Sequence, residues 1–400
     1  MVTLKEIKEA TKRLEGIIHK TPLALAPNLS RVCDKDIYIK KENLQHTGSF
    51  KLRGAFNKIS LLNQEQKKQG VVASSAGNHA QGVAFAAKHF GIEATIFMPE
   101  TTPLTKVSGV MALGAKVVLK GSKYDEAYAY ALEFAKEENK VFVHPYADDE
   151  VIAGQGTIAL EILEEIPDVD TFVVPIGGGG LISGMAIAAK AINPNIRVIG
   201  VVASGAKAMK DSFEAKTAID SIDVKTIADG IAVRDVSPKM LDLILEYVDE
   251  IVEVEDKEIA NAILFLLEKQ KLVVEGAGAA GVAAVMHNKI KTCSKIAIPL
   301  SGGNIDVTML SLIIEKGLVK SSRKMNLVVT LVDKPGSLTK LTDIFTLCSA
   351  NIVYIDYDRN SVQLDFGDAN ITISLETKGE AHQEEIRAML TSNGYRFKQF

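Results

Sequence analysis

Cysteine is scarce in this chain. Cys33, Cys293 and Cys348 are the only three in 400 residues, and they lie far apart. They make no C-x-x-C pair and no even disulfide framework, which points to a reducing cytoplasm. Excess charge of either sign is also missing: 46 Lys and Arg stand against 50 Asp and Glu, a net charge of -4. That balance gives no electrostatic footprint for nucleic acid or an anionic membrane. The seven histidines show no H-E-x-x-H or other metal-ligand spacing. No G-x-S-x-G nucleophile elbow occurs. Long apolar runs are absent too. The most membrane-like stretch, IGGGGLISGMAIAAKAI, is broken at Lys190, short of the roughly 18 or more residues a spanning helix needs. At the N-terminus Glu6, Glu9 and Glu15 interrupt any signal-peptide core. Thr3 and Glu6 instead form a T-x-x-E capping box ahead of Leu4, Ile7 and Leu14 on one helical face.

With 47% hydrophobic residues over this length, a large core and two or three domains are expected. From about residue 70 to 200, short apolar runs alternate with helical segments. GVVASSAG, EATIFMPE, AKVVLKG, KVFVHPY, DTFVVPI and IRVIGVV read as strands. HAQGVAFAAKHF, stopped by Gly91, and residues 106–113 read as helices. This is an α/β pattern of parallel sheets with helices on both faces. Ligands then belong at the carboxyl ends of the strands. Near residues 318–326, LVKSSRKMN is short, basic and polar. The segments after it read β-α-β-β-α-β, the ferredoxin-like order. The expected boundary lies near 323, dividing residues 1–320 from a small domain at 325–400.

Three small-residue loops follow strands. Gly177, Gly178, Gly179 and Gly180 precede Leu181 and an Ala-rich helix. Four glycines let the backbone curl around an anion, and the helix start adds unpaired N–H donors. A P-loop would need a Lys-Ser/Thr pair there, and none is present. SSAGNH, with Ser75, Gly77, Asn78 and His79, ends one strand and starts a helix. Its amides suit a carboxylate, and Asn78 offers both a donor and an acceptor; an ordinary N-cap by Asn78 is the alternative. Ser301 opens SGGN after KIAIPL. GAGAAG, at residues 276–281 after LVVE, matches G-x-G-x-x-G and raises a nicotinamide dehydrogenase as a rival. The next strand, KIAIPL, ends without the acidic residue that reading requires. A small-residue helix packed closely on a sheet explains the match better. TGSFKLRGA then stands out, because Lys51 is a costly charge in a small, apolar context.

SFKLRGA, SSAGNHAQG, GGGGL and PLSGGN, in that order, resemble the pyridoxal-phosphate enzymes of the tryptophan-synthase-β type. HPYADDEVIAGQGTIALEI resembles the threonine ammonia-lyase (threonine dehydratase) subgroup. The resemblance covers roughly residues 5 to 320. It implies two doubly wound parallel-sheet lobes, the smaller at about 45–147 inserted in the larger. It also implies that Lys51 carries pyridoxal phosphate as a Schiff base. Asn78 would bond the ring hydroxyl, the 177–180 glycines and Leu181 the phosphate, and Ser301 the pyridine nitrogen. Ser75, Gly77, Asn78 and His79 would receive the substrate carboxylate. The implied reaction is β-elimination, converting L-threonine to 2-oxobutanoate and ammonia, and L-serine to pyruvate. A serine at the ring nitrogen leaves that nitrogen unprotonated. A β-hydroxyl that departs as the α-proton leaves then avoids a full carbanion. Serine racemase, or another β-substituting enzyme of the same type, is the alternative within the family. A catalytically silent amino-acid sensor is a third possibility, weakened by the presence of all four motifs.

Two departures bear on the choice. Serine racemases carry a serine where this chain has Ala76. Some relatives bind a divalent cation at a glutamate matched here by Val202, so no metal is expected at that site. The tail, with VDKPGSLTKL, resembles an ACT regulatory domain. That implies an amino-acid effector, with isoleucine the first guess and isoleucine biosynthesis the matching setting. Asp333 and Asn351 would contact it; simple capping of a helix and a turn is the alternative. A homodimer or homotetramer is expected, with no nucleic-acid or membrane partner.

Overall fold

The structure is a computed structural model and describes residues 2–291, 293–362 and 364–400. By its contacts the chain divides into two units, Met1–Ile305 and Asp306–Phe400. The division falls ahead of the boundary expected near 323. Helix Val307–Lys320, capped by the Asp306 carboxylate, packs on the first strand of the tail. Its amphipathic pattern had no breaker to mark that membership.

In chain order the strands of the first unit are β1 Leu23–Leu25, β2 Asp36–Lys40, β3 Val71–Ser74, β4 Ala94–Met98, β5 Lys116–Leu119, β6 Val141–Phe142, β7 Thr171–Pro175, β8 Arg197–Ala203, β9 Glu250–Val254 and β10 Lys295–Pro299. They form two sheets. The smaller runs β5-β4-β3-β6 and is wholly parallel. The larger runs β1-β2-β10-β7-β8-β9 and is parallel except for β1, an antiparallel edge. Central strands β3, β4 and β7 are buried along their whole length, as expected when helices cover both faces.

Helix Gly276–Met286 carries the G-x-G-x-x-G pattern and is almost entirely buried. A Cβ on Gly278 would lie 2.5 Å from the Gly302 carbonyl oxygen, and one on Gly281 would lie 2.7 Å from Ile298. Close helix–sheet contact therefore accounts for those glycines. A second set of small residues joins three helices. A Cβ on Gly154 would meet the Arg53 carbonyl at 2.6 Å, and one on Gly184 would meet the Ile152 carbonyl at 2.4 Å. Helices Lys51–Ser60, Asp149–Glu165 and Gly180–Ile192 are thus pressed together backbone to backbone. The start of Lys51's helix and the start of the glycine-loop helix belong to one rigid stack.

The tail adds β11 Lys324–Val332, β12 Asn351–Asp358, β13 Asp368–Glu376 and β14 Arg396–Gln399. They pair antiparallel in the order β12-β13-β11-β14, with helices Ser337–Leu347 and Glu380–Ser392 completing βαββαβ. Alternate residues Leu327, Val329, Ile371 and Ile373 are fully buried with Leu341, Phe345, Ile386 and Leu390. Each such side chain contributes roughly 1.5–3 kcal/mol.

Candidate active site

Lys51 is placed by a backbone clip. Phe50 N–H donates to the Ser301 carbonyl at 3.0 Å, and Gly303 N–H to the Gly48 carbonyl at 2.9 Å. Ser49 and Gly302 form an antiparallel bridge between these bonds. Lys51 then opens helix Lys51–Ser60. Its Nζ donates to the Pro145 carbonyl at 2.9 Å. Burial brings its pKa down to about 8, against the pull of the Glu275 carboxylate. An amine so tuned exchanges its proton near neutral pH.

Behind it, Arg53 is fully buried between two carboxylates. Its Nε and Nη2 donate to Glu42 at 2.9 and 2.8 Å, and Nη1 and Nη2 donate to Glu161 at 2.6 and 3.0 Å. Lys40, also fully buried, pairs with Glu161 at 2.6 Å. Two cations and two carboxylates make a neutral set, which is what lets them stay ionised out of water.

The glycine loop follows β7. Gly179 takes the left-handed conformation at φ +93°, and Gly180 starts helix Gly180–Ile192. A Cβ on Gly178 would lie 2.4 Å from the ring of Tyr146, so the aromatic ring walls the loop on one side. Among the described residues, the amides of Gly177, Gly178 and Gly179 donate to no protein acceptor. Leu181, the second residue of that helix, is buried. Free amides, a helix start and a wall with no room for a Cβ fit a phosphate group.

The SSAGNH loop ends β3. Ser75 N–H donates to the Phe97 carbonyl at 3.1 Å, and Ser75 Oγ accepts from Gly77 N–H at 3.2 Å. Asn78 opens helix Asn78–Phe90. It makes no side-chain cap; its amide points across to other segments. Asn78 Nδ2 donates to Glu275 at 2.7 Å, and Asn78 Oδ1 accepts from Asn304 at 2.6 Å. His79 is buried, with Nε2 on the Val143 carbonyl at 2.8 Å. Its pKa falls to about 3 through burial, with the Lys51 charge adding, so it is neutral. Its Nδ1 and Ser49 Oγ are buried without a partner among the described residues. Ser301 is buried just beyond β10, its carbonyl holding the Lys51 clip.

Three neighbours were not singled out from the sequence. Glu275 ends the LVVE segment, and a carboxylate after an apolar run was the available signal. Burial raises its pKa to about 7. His144 Nδ1 accepts from the Tyr146 and Ala147 amides at 3.2 and 2.8 Å. Burial lowers its pKa to about 4, with Lys51 adding, so this ring is neutral too. Tyr146 stacks edge-on against it at 4.7 Å.

Asp333 and Asn351 lie in the tail. Asp333 accepts from Tyr357 Oη at 2.8 Å and pairs with Arg359 at 2.8 Å; Asn351 Nδ2 donates to Glu376 at 2.8 Å. Helix Ser337–Leu347 has no side-chain cap, so Asp333 does not serve as one. Val202 is buried in β8. Among the described residues no group of three or more His, Cys, Asp or Glu is arranged to hold a metal, and no helix is long and apolar enough to cross a membrane.

Residues 14–302 match the family described as pyridoxal-phosphate dependent enzyme. An L-threonine ammonia-lyase of Thermotoga maritima is 50% identical over 395 residues, 99% of this chain and 98% of that protein. Among solved structures, maize serine racemase superposes with a TM-score of 0.75 at 37% identity, covering 80% of this chain and 98% of that one. Threonine deaminase isoform 2 from Solanum lycopersicum superposes at 0.74 and 37% identity, covering 78% of this chain and 87% of that one.

Proposed function

The chain belongs to the pyridoxal-phosphate-dependent enzyme family, and on that premise we infer a threonine ammonia-lyase. It converts L-threonine to 2-oxobutanoate and ammonia, and L-serine to pyruvate and ammonia. Pyridoxal phosphate, when bound, supplies an aldehyde for the substrate amine and a ring that draws electrons from the α-carbon.

The observation that carries this reading is Lys51: a half-buried amine with its pKa near 8, clipped to Ser301 and beside the Asn78–Glu275 pair. The amine would hold the cofactor covalently in the resting enzyme. As a free amine, Lys51 Nζ would be the group to take the substrate's α-proton. The glycine-loop amides would hold the phosphate, and Asn78 would offer Nδ2–H to the ring hydroxyl. Ser301 offers the ring nitrogen a hydroxyl, which does not transfer a full proton as a carboxylic acid would. Loss of the β-hydroxyl with the α-proton suits that weaker electron demand. The 75–79 loop supplies amides for the substrate carboxylate. His79, buried and neutral, holds that loop to Val143 and adds no charge.

Racemisation is the second reading, favoured by the likeness to maize serine racemase. At the position where such enzymes carry a serine, Ala76 has no group to hold a proton on the opposite substrate face. Elimination therefore leads.

The 306–400 unit is, on this proposal, an ACT-type regulatory domain that binds an amino acid, isoleucine first. Its βαββαβ order and the VDKPGSLTKL turn support it. Asp333 and Asn351 are the residues proposed to meet the effector. The three free cysteines suit a cytoplasmic protein, and a homodimer or homotetramer is proposed. The test is direct. Purified protein should absorb in the visible and release 2-oxobutanoate from L-threonine. A colourless protein, inactive with added pyridoxal phosphate, overturns the lyase. D-serine formed faster than pyruvate from L-serine selects the racemase.

A further inference from the structure

The mechanism leaves one shielded carboxylate without a task. Glu275 N–H donates to the Gly302 carbonyl at 3.1 Å, and a Cβ on Gly302 would lie 2.2 Å from Glu275 Oε1. The carboxylate is therefore wedged against the strand-end loop that holds Lys51. Glu275 Oε1 accepts from Asn78 Nδ2 at 2.7 Å. Asn78 Oδ1 accepts from Asn304 Nδ2 at 2.6 Å, and Asn304 Nδ2 also donates to the Thr47 carbonyl at 2.9 Å. Both ends of the Asn78 amide are held. An ionised carboxylate only accepts, so it admits Asn78 in one sense, with the NH₂ end towards Glu275. One Nδ2 hydrogen is used there and the other is left for a ligand.

We propose that Glu275 is a positioning residue: its charged form, with Asn304 at the other end, locks the Asn78 amide as a donor to the cofactor's ring hydroxyl, and its protonation leaves that lock to Asn304 alone. The inference rests on pyridoxal phosphate occupying this site. A flipped amide would turn its carbonyl oxygen towards the ring oxygen and repel it. An ionised Glu275 forbids the flip, because it would then face that same carbonyl oxygen. A protonated or amidated side chain has a donor of its own and accepts either sense.

The charged groups around Glu275 are named by its environment. Burial raises its pKa most, the Asn78 hydrogen bond lowers it, Asp229 raises it, and Lys106 and Lys51 lower it, leaving it at about 7. Lys106 and Asp229 are themselves paired at 3.6 Å. Below that pH Asn304 alone holds the sense of the amide, and above it both ends hold it.

The test compares pyridoxal phosphate affinity of wild type and Glu275→Gln across pH 6 to 8, by titrating the apoprotein and reading visible absorbance. The ratio of the two dissociation constants cancels the cofactor's own ionisations. It should be near one at low pH, where both side chains are neutral. At high pH wild type should bind tighter by about tenfold, 1.4 kcal/mol. The kcat of Glu275→Gln for L-threonine should fall with little change in KM. A ratio independent of pH overturns the inference while leaving the enzyme coloured. A wild type that never colours overturns the cofactor assignment instead. Should Glu275→Gln fail to fold, Asn304→Ala frees the Oδ1 end of Asn78 with Glu275 in place. It should weaken cofactor affinity, and unchanged affinity there counts equally against the proposal.

Discussion

Arg53 donates to both oxygens of Glu161, at 2.6 and 3.0 Å, from a position two residues beyond Lys51. With Glu42 on its other side, it ties the Lys51 helix to helix Asp149–Glu165 and to the segment after β2. Removing the guanidinium would leave Glu42 without its cation and Glu161 with Lys40 alone. Arg53→Met should lose about 3–5 kcal/mol of stability, read by denaturant unfolding. Arg53→Lys should recover only part, because an ammonium cannot match two carboxylates with a planar fork. Unchanged stability in Arg53→Met would mean that the pairs contribute nothing net.

Lys51→Ala should fold, since a half-buried amine is exchanged for a methyl group, and should show no covalently held cofactor. Turnover should fall by at least about 10²–10⁴-fold, the share of a positioned proton-transfer group. Absorbance and 2-oxo acid release are the readouts. Retained turnover would remove Lys51 from the chemistry.

The apoprotein should capture pyridoxal phosphate faster as pH rises. Burial lowers the Lys51 pKa from 10.5 to about 8, so the nucleophilic neutral amine is the minor form below about 8 and the major form above it. The reconstitution rate should climb about tenfold per pH unit well below that point, then level off. Stopped-flow absorbance measures it. A plateau already reached at pH 6 would contradict the placement of the amine.

Gly178→Ala tests the wall of the phosphate loop. Its Cβ would lie 2.4 Å from the Tyr146 ring, closer than atoms approach. The loop or the ring must shift, at about 1–3 kcal/mol for an overpacked site. Cofactor affinity should drop in step. Pairing it with Tyr146→Leu should restore much of the loss, measured by apoprotein titration. Equal losses in the single and double variants would exclude the ring as the cause.

Regulation is tested in the full chain. Asp333→Ala and Asn351→Ala should each raise the isoleucine concentration needed for half-maximal effect on 2-oxobutanoate release from L-threonine, with the basal rate retained. Curves that superpose on wild type would take both residues out of the effector site.

Local pattern carried a large part of this fold. Strands β3, β4, β5, β7, β8 and β11 were legible because β-rich apolar runs ended in glycine or polar breakers. KVFVHPY was read too long, since only Val141–Phe142 pair as β6. Beyond Phe142 the chain turns into the site: Val143 accepts from His79, Pro145 from Lys51, and His144 accepts from two amides. β2, a short DIYIK beside β10, was not read as a strand.

The site divides along the same line. Lys51, the 177–180 glycines, Asn78 and Ser301 were visible because each stands in a short loop whose residue types are costly without a ligand: a charge among small residues, four consecutive glycines, a polar group after an apolar strand. Sequence alone determined the α/β class and singled out that inventory as candidates. Only tertiary structure decided which groups face one another. Glu275 stands 197 residues from Asn78 along the chain, and Arg53 stands 108 from Glu161. No local pattern records such pairings, because hydrogen bonds and burial act through space, and the sheet order sets which strand ends share it.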